Sequence, residues 1–143
     1  MPASDIGRRI AAEAETWIGT PFLWQARVKG VGVDCKGLVA GVATACGRPE
    51  GNSIYALAGD YADRVPVQRL IAGLTELFDH VGEIQTGDVL LLKVAGKPQH
   101  LAIAAPKEGR ATRAVQAYHT GPRQVVAIGT PKAMIHSIWR WRD

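Results

Sequence analysis

The 143-residue chain has only two cysteines, Cys35 and Cys46, so no disulfide framework can hold it together. If one helix carries both, they stand eleven residues apart, roughly 16 Å along the axis at 1.5 Å per residue. A disulfide needs Cα atoms within about 7 Å, so the two are not expected to bridge. No run approaches the length of uninterrupted apolar residues that a membrane span requires, and the N-terminus has no apolar leader stretch. The expectation is a protein made in the cytoplasm in soluble form, without membrane insertion, which needs another carrier to act elsewhere. Basic residues are scattered. With no basic block, zinc-finger pattern or basic zipper, the net charge of +4 does not point to nucleic acid. There is no C-x-x-C, H-x-H or H-E-x-x-H, and no Gly-rich loop followed by Lys-Ser/Thr. Gly30-Val31-Gly32 is too short for such a loop and follows no strand signal. No metal and no cofactor are expected.

What is present is a sizeable apolar fraction, 47% against 21% charged residues, enough for one globular domain spanning 1–143 with its own core. Ser4 to Ile18 reads as an amphipathic helix capped by Ser4 and stopped by Gly19-Thr20-Pro21. Phe22 to Val33 reads as an irregular connection. A second helix runs from Asp34 to about Cys46, with Gly47 just past its end. A short helix is expected around 56–62, and a clear amphipathic one from Val67 to Phe78. After His80 the period changes from helical to alternating. Strands are expected at 87–94, 99–105, about 112–118 and 124–128. A fifth, 134–141, closes the sheet or forms its last edge. Helices first and successive antiparallel strands after them define an α+β fold, with N-terminal helices packed on a mostly antiparallel sheet of about five strands.

The chain turns on Val33-Asp34-Cys35-Lys36-Gly37-Leu38. Asp34 is a good N-cap, which puts Cys35 in the first turn of a helix, where unpaired N–H groups and the macrodipole favour an anion. That favours a thiolate, the nucleophilic form. The plainer reading is a small core cysteine in an Ala/Gly-rich helix, which is how Cys46 reads. Gly37 and Gly41, four apart, allow a close approach to another element. A thiol nucleophile needs a base, and histidine titrates in the right range. Of His80, His100, His119 and His136, His100 opens a strand straight after a hairpin turn. His100, Ala102 and Ala104 share a strand face, and the small alanines leave room for the Cys35 helix to pack there. A third polar group normally holds the imidazole. Gln116 and His119 are both available on the next strand, and their spacing puts only one of them on the right face.

Trp17-Ile18-Gly19-Thr20-Pro21-Phe22, Gly32-Val33-Asp34-Cys35-Lys36-Gly37-Leu38-Val39, Gly87-Asp88-Val89-Leu90-Leu91 and Gln99-His100-Leu101-Ala102-Ile103 occur in this order. With them the chain resembles the NlpC/P60 family of papain-like cysteine peptidases, from about residue 8 to the end. The middle segment and the Trp139-Arg140-Trp141-Arg142 end look most like its branch in phages and gene transfer agents, tail-associated cell-wall peptidases. The resemblance implies hydrolysis of an amide bond in the stem peptide of peptidoglycan, with tail hub or baseplate proteins as partners and action in the periplasm or cell wall. Cys35 matches the family nucleophile and His100 its base. Val115-Gln116-Ala117-Tyr118 puts Gln116 where the family most often has histidine, with His119 as the alternative third residue. The helix start at Asp34, Cys35 and Lys36 would bind the oxyanion. Phe22 and Trp24 are candidates for the substrate cleft. Phe22 stands where a tyrosine is common and Lys36 where a serine is frequent; the lysine would favour a thiolate beside it or face solvent.

Two other functions fit the same residues. One is a structural tail-tip component with the same fold and little or no hydrolysis, docking through an exposed Trp139–Arg142 edge; against it stands a plain final strand with Trp139 in the core. The other is an amidase or acyl transferase with a substrate outside the cell wall.

Overall fold

In the computed structural model, residues 4–57 and 66–143 are described. Helix α1, Asp5–Glu15, starts where Ser4 Oγ accepts the Gly7 N–H at 3.0 Å and buries Ile10, Ala11 and Ala14. The following stretch is not wholly irregular: β1, Arg27–Val28, and β2, Gly32–Val33, pair as a small antiparallel hairpin. Two-residue strands carry too little alternation to be legible in a sequence. Helix α2, Cys35–Ala45, is followed by Gly47 at φ +74. Helix α3, Gly51–Ala56, begins before the short helix expected around 56–62, most of which lies outside the described residues. Helix α4 is Val67–Leu77.

The strands are β3, Phe78–Val81; β4, Val89–Val94; β5, Lys97–Ala104; β6, Arg113–Ala117; β7, Val125–Gly129; and β8, Ile135–Trp141. Six of them form one antiparallel sheet in the order β3-β8-β4-β5-β6-β7. The fold is α+β, with one strand more than the alternation indicates. The added strand, β3, follows α4 directly, and its Phe78 is also the last apolar position of the helical pattern.

Each side of the sheet has its own apolar cluster. Val89, Leu91, Leu101, Ile103 and Val115 join Leu38, Val39, Val42 and Ala43 of α2 and the buried faces of α1 and α4 in the main core. The alternating residues Leu90, Leu92, Ala102, Ala104 and Ala114 form a smaller cluster with Ile84, Ile135 and Ile138. The alanines of β5 therefore do not receive α2, as the sequence suggests. The larger Leu101 and Ile103 do.

The last strand is not an edge of the sheet. β8 lies between β3 and β4, pairing Trp141 with Phe78 and Trp139 with Val89. Trp139 and Trp141 are buried, and the Trp141 indole N–H donates to Gly87 O at 2.8 Å. Arg140 grips the buried Asp88 through two parallel N–H···O bonds of 3.0 and 2.9 Å. Arg142 donates to the carbonyls of Thr75, Glu76 and Phe78, the free end of α4. Trp139 and Trp141, which suggest an interface here, lie in the protein's own core.

Candidate active site

The site begins at the head of α2. Asp34 is completely buried, and both of its carboxylate oxygens are engaged. Oδ1 accepts the Gly37 N–H at 2.7 Å and so caps the helix; Oδ2 accepts the Gln25 N–H at 2.7 Å and ties down the preceding loop. The loop returns the contact where the Asp34 N–H donates to Ala26 O at 3.2 Å. Gly37 is required by this closeness, since a Cβ there would lie 2.1 Å from Ala26 O. Gly41 admits the Trp17 ring in the same way, one turn further along. The N–H groups of Cys35 and Lys36 lie in the first turn of α2, and the Lys36 N–H donates to the Cys35 thiol.

Cys35 is buried at 7% exposure. Burial is the largest influence on its thiol and raises its pKa above the ordinary value. The Lys36 charge and backbone hydrogen bonds from Leu101 and Lys36 act the other way, and the Asp34 charge adds to the rise. The helix start does supply the features that favour a thiolate, but desolvation outweighs them, and the resting group is a thiol. Lys36 does not face solvent: it is 6% exposed, and its charge reaches both Cys35 and His100. The Leu101 N–H at the thiol places β5, one residue past His100, beside the head of α2.

His100 lies opposite Leu92 in the β4–β5 ladder, at the point where the register shifts. β5 and β6 pair at Ile103–Val115 and Ala104–Ala114. Towards His100 the side chains span between the strands, with His100 Nε2 3.2 Å from Gln116 Oε1. A carbonyl oxygen only accepts, so Nε2 carries the proton and Nδ1 is left with the lone pair. Burial pushes the His100 pKa down to about 4, helped by the His119 and Lys36 charges; the bond to Gln116 works in the opposite direction. At neutral pH the imidazole is uncharged.

Gln116 is buried, and its amide N–H donates to Thr130 Oγ1 at 3.3 Å. His119 stands beyond β6 on an exposed loop, its ring 5.5 Å from Trp24 and 5.8 Å from Phe22. Phe22 packs edge-on against Trp24 at 4.8 Å. Phe22 is buried, while Trp24 is half exposed. The structure thus brings Gln116 to His100 and groups His119 with the two cleft candidates. Thr130 has no signal in the sequence. It follows Gly129 and reaches the site because its N–H continues the ladder to Thr112 O at 3.0 Å. Cys46, partly buried, is unbridged, its Sγ 3.6 Å from Arg9 O.

No family model matches the sequence, and no curated protein does. Solved structures do match. The NlpC/P60 domain of the peptidoglycan hydrolase SagA is 23% identical, over 93% of this chain and 97% of that one, with a TM-score of 0.60. The peptidoglycan hydrolase RipB from Mycobacterium tuberculosis is 18% identical over 95% and 64%, with a TM-score of 0.64. RipD from the same organism, described as a non-catalytic NlpC/P60 domain protein adapted to peptidoglycan binding, is 16% identical over 96% and 98%, with a TM-score of 0.58. The chain has the NlpC/P60 fold, which these structures show in both a hydrolytic and a non-catalytic form.

Proposed function

We propose that this chain is a single-domain NlpC/P60 cysteine peptidase that hydrolyses an amide bond in peptidoglycan stem peptides. The observation that carries this reading is the His100–Gln116 contact, made one residue from the backbone N–H that touches the Cys35 thiol. In the proposed reaction His100 Nδ1 takes the Cys35 proton as sulfur attacks the carbonyl carbon. The C–O π pair moves to oxygen, and the oxyanion is held by the N–H groups of Cys35 and Lys36 at the head of α2. The imidazolium then gives its proton to the leaving amine as the C–N bond breaks, leaving a thioester. Water, deprotonated by His100, attacks the thioester, releasing the carboxylic acid and restoring the thiol. Gln116 accepts the Nε2–H throughout and adds no charge. Phe22, Trp24 and His119 would line the approach to Cys35.

The proposed setting is a phage-like tail or gene transfer agent, with the chain assembled on hub or baseplate proteins and acting in the periplasm or cell wall. It is supported by the resemblance of the middle segment and C-terminal end. Such partners would dock elsewhere than on Trp139–Arg142. The existence of RipD favours one other reading, a domain that binds peptidoglycan without cutting it. Mass spectrometry of defined muropeptides after incubation with the wild type and with Cys35→Ala separates the two. New fragment pairs from the wild type alone establish the peptidase and identify its bond. Intact substrate with both folded proteins, together with binding to cell-wall sacculi, establishes the binding domain.

A further inference from the structure

Helix α3 meets the head of α2 through a loop. It packs on the far half of α2 at Gly51, where a Cβ would lie 2.2 Å from Thr44 Oγ1. Its other end reaches the turn 23–26, which is closed by the Ala26 N–H on Leu23 O at 3.2 Å. Gln25 holds the third position of that turn at φ +63, a left-handed conformation that suits glycine and crowds any larger residue. Both backbone groups of Gln25 are engaged. Its N–H donates to Asp34 Oδ2 at 2.7 Å, and its carbonyl accepts the Tyr55 hydroxyl. A carbonyl only accepts, so the sense of that second bond is fixed. On the other side of Ala26, Arg27 donates to Asn52 Oδ1 at 2.9 Å and lays its guanidinium over the Tyr55 ring, 4.5 Å from the centroid. Between these two grips, Ala26 O accepts the Asp34 N–H at 3.2 Å.

We propose that Tyr55 is a positioning residue: its hydroxyl keeps Gln25 in the left-handed conformation from which the Gln25 N–H reaches Asp34, and through Asp34 it steadies the head of α2 around Cys35. Two tendencies oppose each other at Gln25. Steric crowding drives it away from φ +63, and the hydrogen bonds at its two ends hold it there. Without the hydroxyl the turn relaxes more readily, and the completely buried Asp34 loses the donor to its Oδ2. Asp34 Oδ1 caps α2 at Gly37, so whatever loosens Asp34 loosens the turn that carries Cys35. Trp24, next to Gln25 in the same turn, shifts with it. Tyr55 acts through Gln25 and Asp34. Its effect on turnover rests on the peptidase reading above. Its hold on Gln25 does not.

The test is the hydrogen-exchange rate of the Gln25 amide, followed by NMR in the full-length protein. Alkylation of Cys35 by iodoacetamide at neutral pH, and turnover where it is detectable, are measured alongside. Tyr55→Phe keeps the ring under Arg27 and removes only the hydroxyl. It should speed Gln25 exchange roughly threefold to tenfold, the worth of one hydrogen bond. It should also speed alkylation, by opening the buried thiol, while it slows turnover. Leu74→Val, on the buried face of α4, weakens the core away from the loop and should leave all three rates unchanged while the protein stays folded. Glycine adopts a positive φ without crowding, so adding Gln25→Gly to Tyr55→Phe should recover much of the lost turnover. The proposal is overturned if Tyr55→Phe keeps the wild-type Gln25 exchange and alkylation rates, or if Leu74→Val changes them equally. A wild type in which Gln25 responds to Tyr55→Phe as expected but which cuts no muropeptide overturns the peptidase reading and leaves the role of Tyr55 standing.

Discussion

His100 and Gln116, sixteen residues apart on neighbouring strands, meet through Nε2 and Oε1 at 3.2 Å. The contact falls where the ladder between their strands has already ended at Ile103–Val115. Two side chains thus bridge a place where two backbones part. Gln116→Leu should leave the His100 N–H without its acceptor and lower kcat by about tenfold or more, with little change in KM. Gln116→His, which restores an acceptor, should recover most of the rate. Steady-state kinetics on a stem-peptide substrate checks both.

Because burial holds His100 down at about 4, the base stays unprotonated well into the acid range. Activity should persist at pH 5, with its acid limb near the pKa of His100 rather than near 6.5. The same shift affects stability. In the unfolded chain the imidazole binds a proton below about pH 6.5, while in the folded protein it resists doing so until about 4. Stability is therefore fully present above 6.5 and falls as the pH drops from there towards 4. Thermal melts across this window should show the decline, and His100→Gln should flatten it.

The thiol shifts the opposite way. With the Cys35 pKa raised above its ordinary value by burial, alkylation by iodoacetamide should be slow at neutral pH and should still be accelerating above pH 9. A rate that reaches its plateau near neutrality would instead reveal a preformed thiolate. Cys46, half-buried, supplies an internal comparison once Cys35→Ala has identified its signal.

At Gly37 an added Cβ would fall 2.1 Å from Ala26 O, and at Gly41 2.4 Å from the Trp17 ring. Backbone and a packed indole do not yield easily. Gly37→Ala and Gly41→Ala should each destabilise the protein by about 1–3 kcal/mol in urea unfolding. Gly37→Ala should also lower activity, because it displaces the loop that Asp34 ties to α2.

Truncation after Ile138 should abolish folding rather than partner binding. It removes Trp139 and Trp141 from the core, the Arg140–Asp88 pair and the Arg142 contacts with the end of α4. Trp141→Ala alone should cost about 3–5 kcal/mol. Far-UV circular dichroism and urea melts provide the readout. A truncated chain that remained folded would return the C-terminal end to the role of a docking surface.

Local physics was legible from the start. A capping serine or aspartate followed by helical periodicity placed α1 and α2, and Cys35 at the head of α2, because these depend on residues within a few positions of one another. The runs of β4 to β7 were legible for the same reason, although His100, which the sequence puts at the opening of its strand, stands fourth in β5 after Lys97. Alternation shows that a strand has two faces, but not what each face meets. Only the assembled sheet decided that Leu101 and Ile103, rather than the alanines, carry α2, that β8 enters between β3 and β4, and that Trp139 and Trp141 are interior. The choice of Gln116 over His119 as the partner of His100, the burial of Lys36 and the arrival of Thr130 were likewise settled by pairings between distant segments. Such pairings depend on register and on which surfaces exclude water together, and neither quantity is carried by any short stretch of the chain.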